Sequence, residues 1–87
     1  MKIELRAPIK MGEEVIDAIE LREPTAKDIK RLGYPFTVKD MEIKTQVVFD
    51  YIVTLAALPP STVDQIGPKD FSDLMAAIIG FFGGSED

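Results

Sequence analysis

Residues 2–9, Lys-Ile-Glu-Leu-Arg-Ala-Pro-Ile, alternate polar and apolar side chains. Ile3, Leu5, Ala7 and Ile9 fall on one face, and Lys2, Glu4 and Arg6 on the other. That is the period-2 pattern of a half-buried strand. Pro8 predicts an edge strand or a strand terminus, because proline has no N–H to give a ladder. Lys10-Met11-Gly12-Glu13 reads as a turn, with Gly12 as its flexible residue. Residues 14–22 then carry Val15, Ile19 and Leu21 on one face, interrupted by Asp17, and complete a β-hairpin. A lone hairpin is marginal in water, so helices must cover its apolar face.

The spacing then becomes helical. Glu23-Pro24 stops the strand, and Thr25 stands three residues before Asp28, a variant of the capping box. A short helix is expected over 26–32, ended by Gly33. Tyr34-Pro35-Phe36 is a connector, and Thr37 and Asp40 repeat the cap spacing, which predicts a helical turn there. The longest helix is expected over 43–58, its start lying between residues 37 and 45. Its polar positions Gln46, Asp50 and Thr54 form one narrow stripe, and almost everything else on it is apolar. Pro59-Pro60 ends it. Ser61 and Asp64 again have cap spacing and predict a turn of helix to Ile66. Pro68 is placed to be the first residue of a last helix over 68–82. There Phe71, Leu74, Met75, Ile78 and Phe82 make the main apolar face, while Ile79 and Phe81 point away from it.

The expected fold is α+β: an N-terminal β-hairpin followed by a small helical bundle of two main helices and one or two short ones. Residues 1–82 form the single domain, and 83–87 a flexible tail. Leu21, Val48, Ile52, Leu55, Phe71, Leu74 and Ile78 are the expected core. Pro24, Thr25 and Asp28 set the strand-to-helix turn.

Composition narrows the chemistry. The 87 residues suit one small domain and include no histidine, cysteine or tryptophan. A zinc-finger site, a thiol nucleophile, a histidine general base and a disulfide framework are thereby excluded. A net charge of −5 argues against sequence-independent DNA binding, which needs cations to neutralise phosphates. The cluster Lys27, Lys30 and Arg31, followed by Lys39 and Lys44, is cancelled by Glu23, Asp28, Asp40 and Glu42, so it reads as a solvated face. No apolar run is long enough to span a bilayer, and the alternating N-terminus is not a signal peptide. The pairs Glu13/Glu14 and Asp70/Asp73 read as surface and helix-start carboxylates rather than an acid/base pair. Asp17 reads as an edge residue that blocks wrong strand pairing, and Ser61 as a helix cap rather than a phosphorylation site. Gly80, Gly83 and Gly84 follow a helix, so they make no phosphate loop. The expectation is a non-enzymatic chain without cofactor or metal.

Residues 45–87 carry the whole net charge, with Lys69 the single cation against six carboxylates, and they are also the more apolar half. So small a chain buries only about 60% of the surface of its unfolded form. The apolar excess of the two long helices therefore leaves two readings open. Either the core uses them on several sides, or they offer a surface for self-association or for an apolar partner helix. Phe49, Tyr51, Val53, Ile79 and Phe81 are least easily placed in one core and are the candidate partner-binding residues.

Three ordered motifs carry a resemblance: Leu21-Arg22-Glu23-Pro24-Thr25-Ala26-Lys27-Asp28, then Leu58-Pro59-Pro60-Ser61-Thr62-Val63-Asp64-Gln65-Ile66, then Lys69-Asp70-Phe71-Ser72-Asp73-Leu74 ahead of Phe81-Phe82. With the strand–turn–strand start, this order resembles the tail assembly chaperones of Mu-like and P2-like contractile-tailed phages. The resemblance covers nearly the whole chain; residues 33–44 depart from the pattern most. It implies a protein of the host bacterial cytoplasm that binds the tape-measure protein, keeps it soluble, promotes tail-tube assembly around it and is absent from the mature virion. It also implies a frameshifted longer form, reaching the tail-tube protein through a C-terminal extension. Gly80-Phe81-Phe82 are compatible with a slippery thymidine run, and Gly83-Gly84-Ser85 would suit a linker. The alternatives are a small regulatory or adaptor domain that binds a protein edge through its hairpin, or a structural tail component. Neither nucleic acid nor membrane is expected as a partner.

Overall fold

The computed structural model describes residues 1–37, 39, 40 and 42–84. Strands β1 (Lys2–Met11) and β2 (Glu14–Glu20) form a two-stranded antiparallel hairpin. Four helices follow among the described residues: α1 (Ala26–Leu32), α2 (Thr45–Ala56), α3 (Pro60–Val63) and α4 (Pro68–Ile79). The expected α+β class, with two main helices and two short ones, is the fold observed.

The hairpin turns through Gly12-Glu13, where Gly12 has φ 65°. Positive φ at the first central residue is the signature of a type II′ turn, whose twist suits the flanking strands. The ladder is not regular. Between the Glu4–Ala18 and Ile9–Ile16 pairs, β1 has residues 5–8 where β2 has only Asp17. Pro8, which cannot donate, lies within this interruption. The shift changes which side chains face inward. Ile9 and Ile19 are buried and Ile16 is half-buried, but Val15 is 58% exposed, against the expectation that it shares the core face with Ile19. A single alternation cannot describe a strand whose register slips midway.

Helix α2 lies at the centre. Its Val48, Tyr51, Ile52 and Leu55 are fully or almost fully buried at i, i+3, i+4 and i+7 spacing. Around them pack Ile9, Ile19 and Leu21 of the hairpin segment, Val63 of α3, and Leu74 and Ile78 of α4. Phe71, placed in the core by its spacing, is instead half-buried at the edge of this cluster. The polar stripe of α2 is paired: Gln46 donates to Asp50 at 3.1 Å, and Thr54 Oγ1 accepts from Arg31 at 3.2 Å.

Several boundaries differ from the pattern. Helix α2 begins at Thr45 because Ile43 is engaged in an antiparallel bridge with Phe36. No helical turn follows Thr37 among the described residues; the Thr37 hydroxyl instead bonds the Asp40 carboxylate and accepts from the Glu42 N–H. Part of that expected turn, Val38 and Met41, lies outside the described residues. Ser61 caps nothing: α3 has Pro59 as its cap residue, and Ser61 stands inside the helix. Helix α4 begins at Pro68 as expected but ends at Ile79. A wider turn, Gly80–Gly84, follows it, and the path leaves helical geometry at Phe82 and Gly83 (φ 89°). Of the expected tail, Ser85, Glu86 and Asp87 lie outside the described residues.

Candidate partner-binding surface

The two carboxylates buried among the described residues, Asp28 and Asp70, are main-chain clasps. Asp28 is 5% exposed and accepts two hydrogen bonds from Arg22, at 2.8 and 3.1 Å, and a third from the Thr25 N–H at 2.8 Å. The bidentate Arg22 guanidinium, then the Thr25 N–H, hold its carboxyl well below the usual carboxylate range, against the opposing effect of burial. Asp70 is 3% exposed and spans the interruption in β1. Its oxygens accept from the Arg6 N–H at 3.0 Å, the Ala7 N–H at 3.3 Å and the Arg6 guanidinium at 3.1 Å. The Arg6 N–H is the main cause that lowers its pKa, and burial opposes it. Acids held ionised in this way anchor donors and are poorly suited to giving up a proton at neutral pH.

Gln65 makes a third clasp. Its Oε1 accepts from the Lys10 N–H at 2.9 Å, and its Nε2 donates to the Lys10 carbonyl at 2.6 Å, as a neighbouring strand would. All three motifs are thus accounted for by side chains that grip backbone: Asp28 beside Leu21-Arg22 and Thr25, Gln65 behind Pro59-Pro60, and Asp70 ahead of Phe71. Among the described residues, no group of three acidic side chains is arranged to hold a metal ion.

The five candidate surface residues do not form one patch. Tyr51 is fully buried, and its hydroxyl donates to the Gly33 carbonyl at 2.5 Å, so it belongs to the core. Its placement on an outer surface is corrected: residue 51 lies on the inward stripe of α2 with Val48 and Leu55. Phe49, Val53, Ile79 and Phe81 are half-buried. Phe49 lines a groove of about 560 Å³ with Thr45, Gln46, Pro60, Asp64 and Phe71, where α2, α3 and α4 meet. Phe81 lines a separate hollow of about 440 Å³ with Leu21, Thr54, Leu55 and Ala57.

Two aromatic features escaped the pattern. Phe71, assigned to the core by spacing, shares the Phe49 groove. Phe82 is the hub of a cluster: its ring meets Tyr34 and Tyr51 edge-on at 5.5 Å and Phe36 at 6.1 Å. The connector Tyr34-Pro35-Phe36 is therefore a packed segment, with Pro35 buried and Tyr34 49% exposed. Two aromatic residues flanking a proline were the available signal.

No helix among the described residues is long and apolar enough to cross a membrane. Neither a curated protein nor a solved structure gives a significant match to the chain. A family described as "Phage tail assembly chaperone proteins, E, or 41 or 14" matches residues 2–83, from the first strand through the turn after α4 and across all three motifs. The chain therefore belongs to the phage tail assembly chaperones.

Proposed function

We propose that this chaperone binds the tape-measure protein of its phage, keeps it soluble before the tube encloses it, and leaves before the particle is complete. The family match over residues 2–83 carries this reading. The surface supports it physically. The groove where α2, α3 and α4 meet places Phe49, Phe71 and Pro60 beside Thr45, Gln46 and Asp64, a mixed surface suited to one seam of a long amphipathic helix. The acidic second half keeps a complex charged and dispersed. The role requires no chemistry, and we assign none. A longer form, made by slippage at the codons for Gly80-Phe81-Phe82, would bring in the tail-tube protein; codons that interrupt a thymidine run there would remove that part of the proposal.

The test is co-expression with the tape-measure protein from the same genome. The long protein should be recovered soluble and bound to this chain, and insoluble without it. Phe49→Ser should cut the recovered complex while the free chain keeps a single cooperative thermal transition, at a somewhat lower temperature because Phe49 is half-buried. Because Phe49 and Phe81 line separate hollows, Phe81→Ser reports independently on the second one. An insoluble tape-measure protein in both cases, with nothing copurifying, would sink the proposal.

A further inference from the structure

The two edges of the hairpin are treated differently. The outer edge of β1 is closed by side chains: Asp70 takes the N–H groups of Arg6 and Ala7, and Gln65 takes both main-chain groups of Lys10. The outer edge of β2 has no such cover. Because Gln65 occupies Lys10 from outside, the Lys10–Val15 pair is a non-hydrogen-bonded one, and Val15 turns its N–H and C=O away from β1. At the other end, Met1 and Leu21 exchange bonds at 2.7 and 2.8 Å, so the neighbouring Glu20 turns its main-chain groups outward as well. Val15 and Glu20 are five residues apart, so the alternation of β2 breaks beside Asp17 and the open edge has a bulge there. No hydrogen-bond partner for these outward groups exists among the described residues. The open stretch stops at Arg22, whose N–H reaches the Leu55 carbonyl at 3.2 Å.

An open edge invites another strand, and its charge decides which. Glu13, Glu14, Asp17, Glu20 and Glu23 stand exposed along β2 and its ends, and β2 itself has no cation. A second copy pairing antiparallel about Asp17 would set Asp17 against Asp17 and Glu14 against Glu20. Like charges placed directly opposite are destabilising. Resting on the chaperone reading above, we propose that the β2 edge takes an extended, lysine- or arginine-bearing segment of the partner tail protein as a third strand. The hollow beside Phe81, which Glu20 also lines, lies at the end of this edge and would receive an apolar side chain from that segment.

The probe is a capped peptide of alternating lysine and valine, matched in length to β2, added to the isotope-labelled full chain. The amide signals of Val15 and Glu20 should shift and their exchange should slow. Binding should weaken as salt is raised, and the glutamate-valine counterpart should not bind. Val15→Pro removes an outward donor without touching the β1 ladder, and should weaken peptide binding about tenfold. The double variant Glu14→Lys with Asp17→Lys keeps every main-chain group and should abolish the preference for lysine. Equal binding of both peptides, shifts confined to the Phe49–Phe71 groove, or no binding at all would overturn the inference. If the tape-measure protein copurifies with Val15→Pro as well as with the original chain, the edge assignment falls while the chaperone role stands. Loss of capture by both chains would be a failure of the role itself.

Discussion

Asp70 is held ionised by the main-chain N–H of Arg6 more than by the Arg6 guanidinium, which is itself largely in solvent. Two substitutions separate these contributions. Asp70→Asn turns an amide N–H₂ toward backbone donors and should lower the urea midpoint far more than Arg6→Ala, which removes an exposed cation. Asp28 and Asp70 both have folded pKa values below those of the unfolded chain. Their stabilisation is therefore complete above the unfolded value of about 3.9, and it is lost as pH falls from there through the folded values. The urea midpoint should hold steady from neutral pH to about pH 5 and drop below pH 4, with a shallower drop in Asp28→Asn or Asp70→Asn. A midpoint that rose on acidification would contradict the assignment. Tyr51→Phe tests the core in the same assay. It leaves the Gly33 carbonyl without its donor and should cost about 1 kcal/mol.

At the scale of elements, Ala57 ends α2 in the left-handed conformation, with φ 56° and ψ 45°, and its N–H returns to the Val53 carbonyl. A residue with a Cβ is strained there by about 1 kcal/mol, and glycine is not. Ala57→Gly should therefore stabilise the chain by roughly 0.5 kcal/mol after the greater freedom of glycine in the unfolded chain is counted, read as a rise in melting temperature. The same scale shows what was legible in the chain. Helices α1 and α4 are readable because a proline and cap or first-turn signals mark their starts, and α2 because of its apolar run and the Pro59-Pro60 stop, although nothing in the pattern marks its start at Thr45. The register slip in β1 is not readable, because it depends on Asp70, more than sixty residues away in sequence. The bridge between Phe36 and Ile43 replaced a helical turn for the same reason: a tertiary pairing outweighed a local capping signal.

For the whole molecule, the core was the most readable part. Leu21, Val48, Ile52, Leu55, Leu74 and Ile78 are all buried, as their periodicity requires. The partner surface was the least readable. Periodicity says which residues leave a given stripe, but not what the neighbouring helices do with them, so by pattern Tyr51 reads as outward and Phe71 as inward, whereas Tyr51 is buried and Phe71 half-buried. The clasps also make one cooperative unit. Amides of β1 at Arg6 and Lys10 should exchange no faster than those in the middle of α2, since releasing them requires moving α4 or the segment after α3. Markedly faster exchange in the hairpin would show that it opens by itself.

The clasp at Asp70 also sets a timetable for synthesis. The hairpin is made first, but Gln65 and Asp70, which hold its outer edge, follow much later in the chain. Until they emerge from the ribosome, both edges of the hairpin are bare, and a two-stranded hairpin is barely stable alone. At about 5–20 residues per second the delay lasts several seconds, after which the last helix captures the first strand. Folding is thus deferred until α4 has been made, and a product lacking α4 would be left with two open strand edges and no finished core.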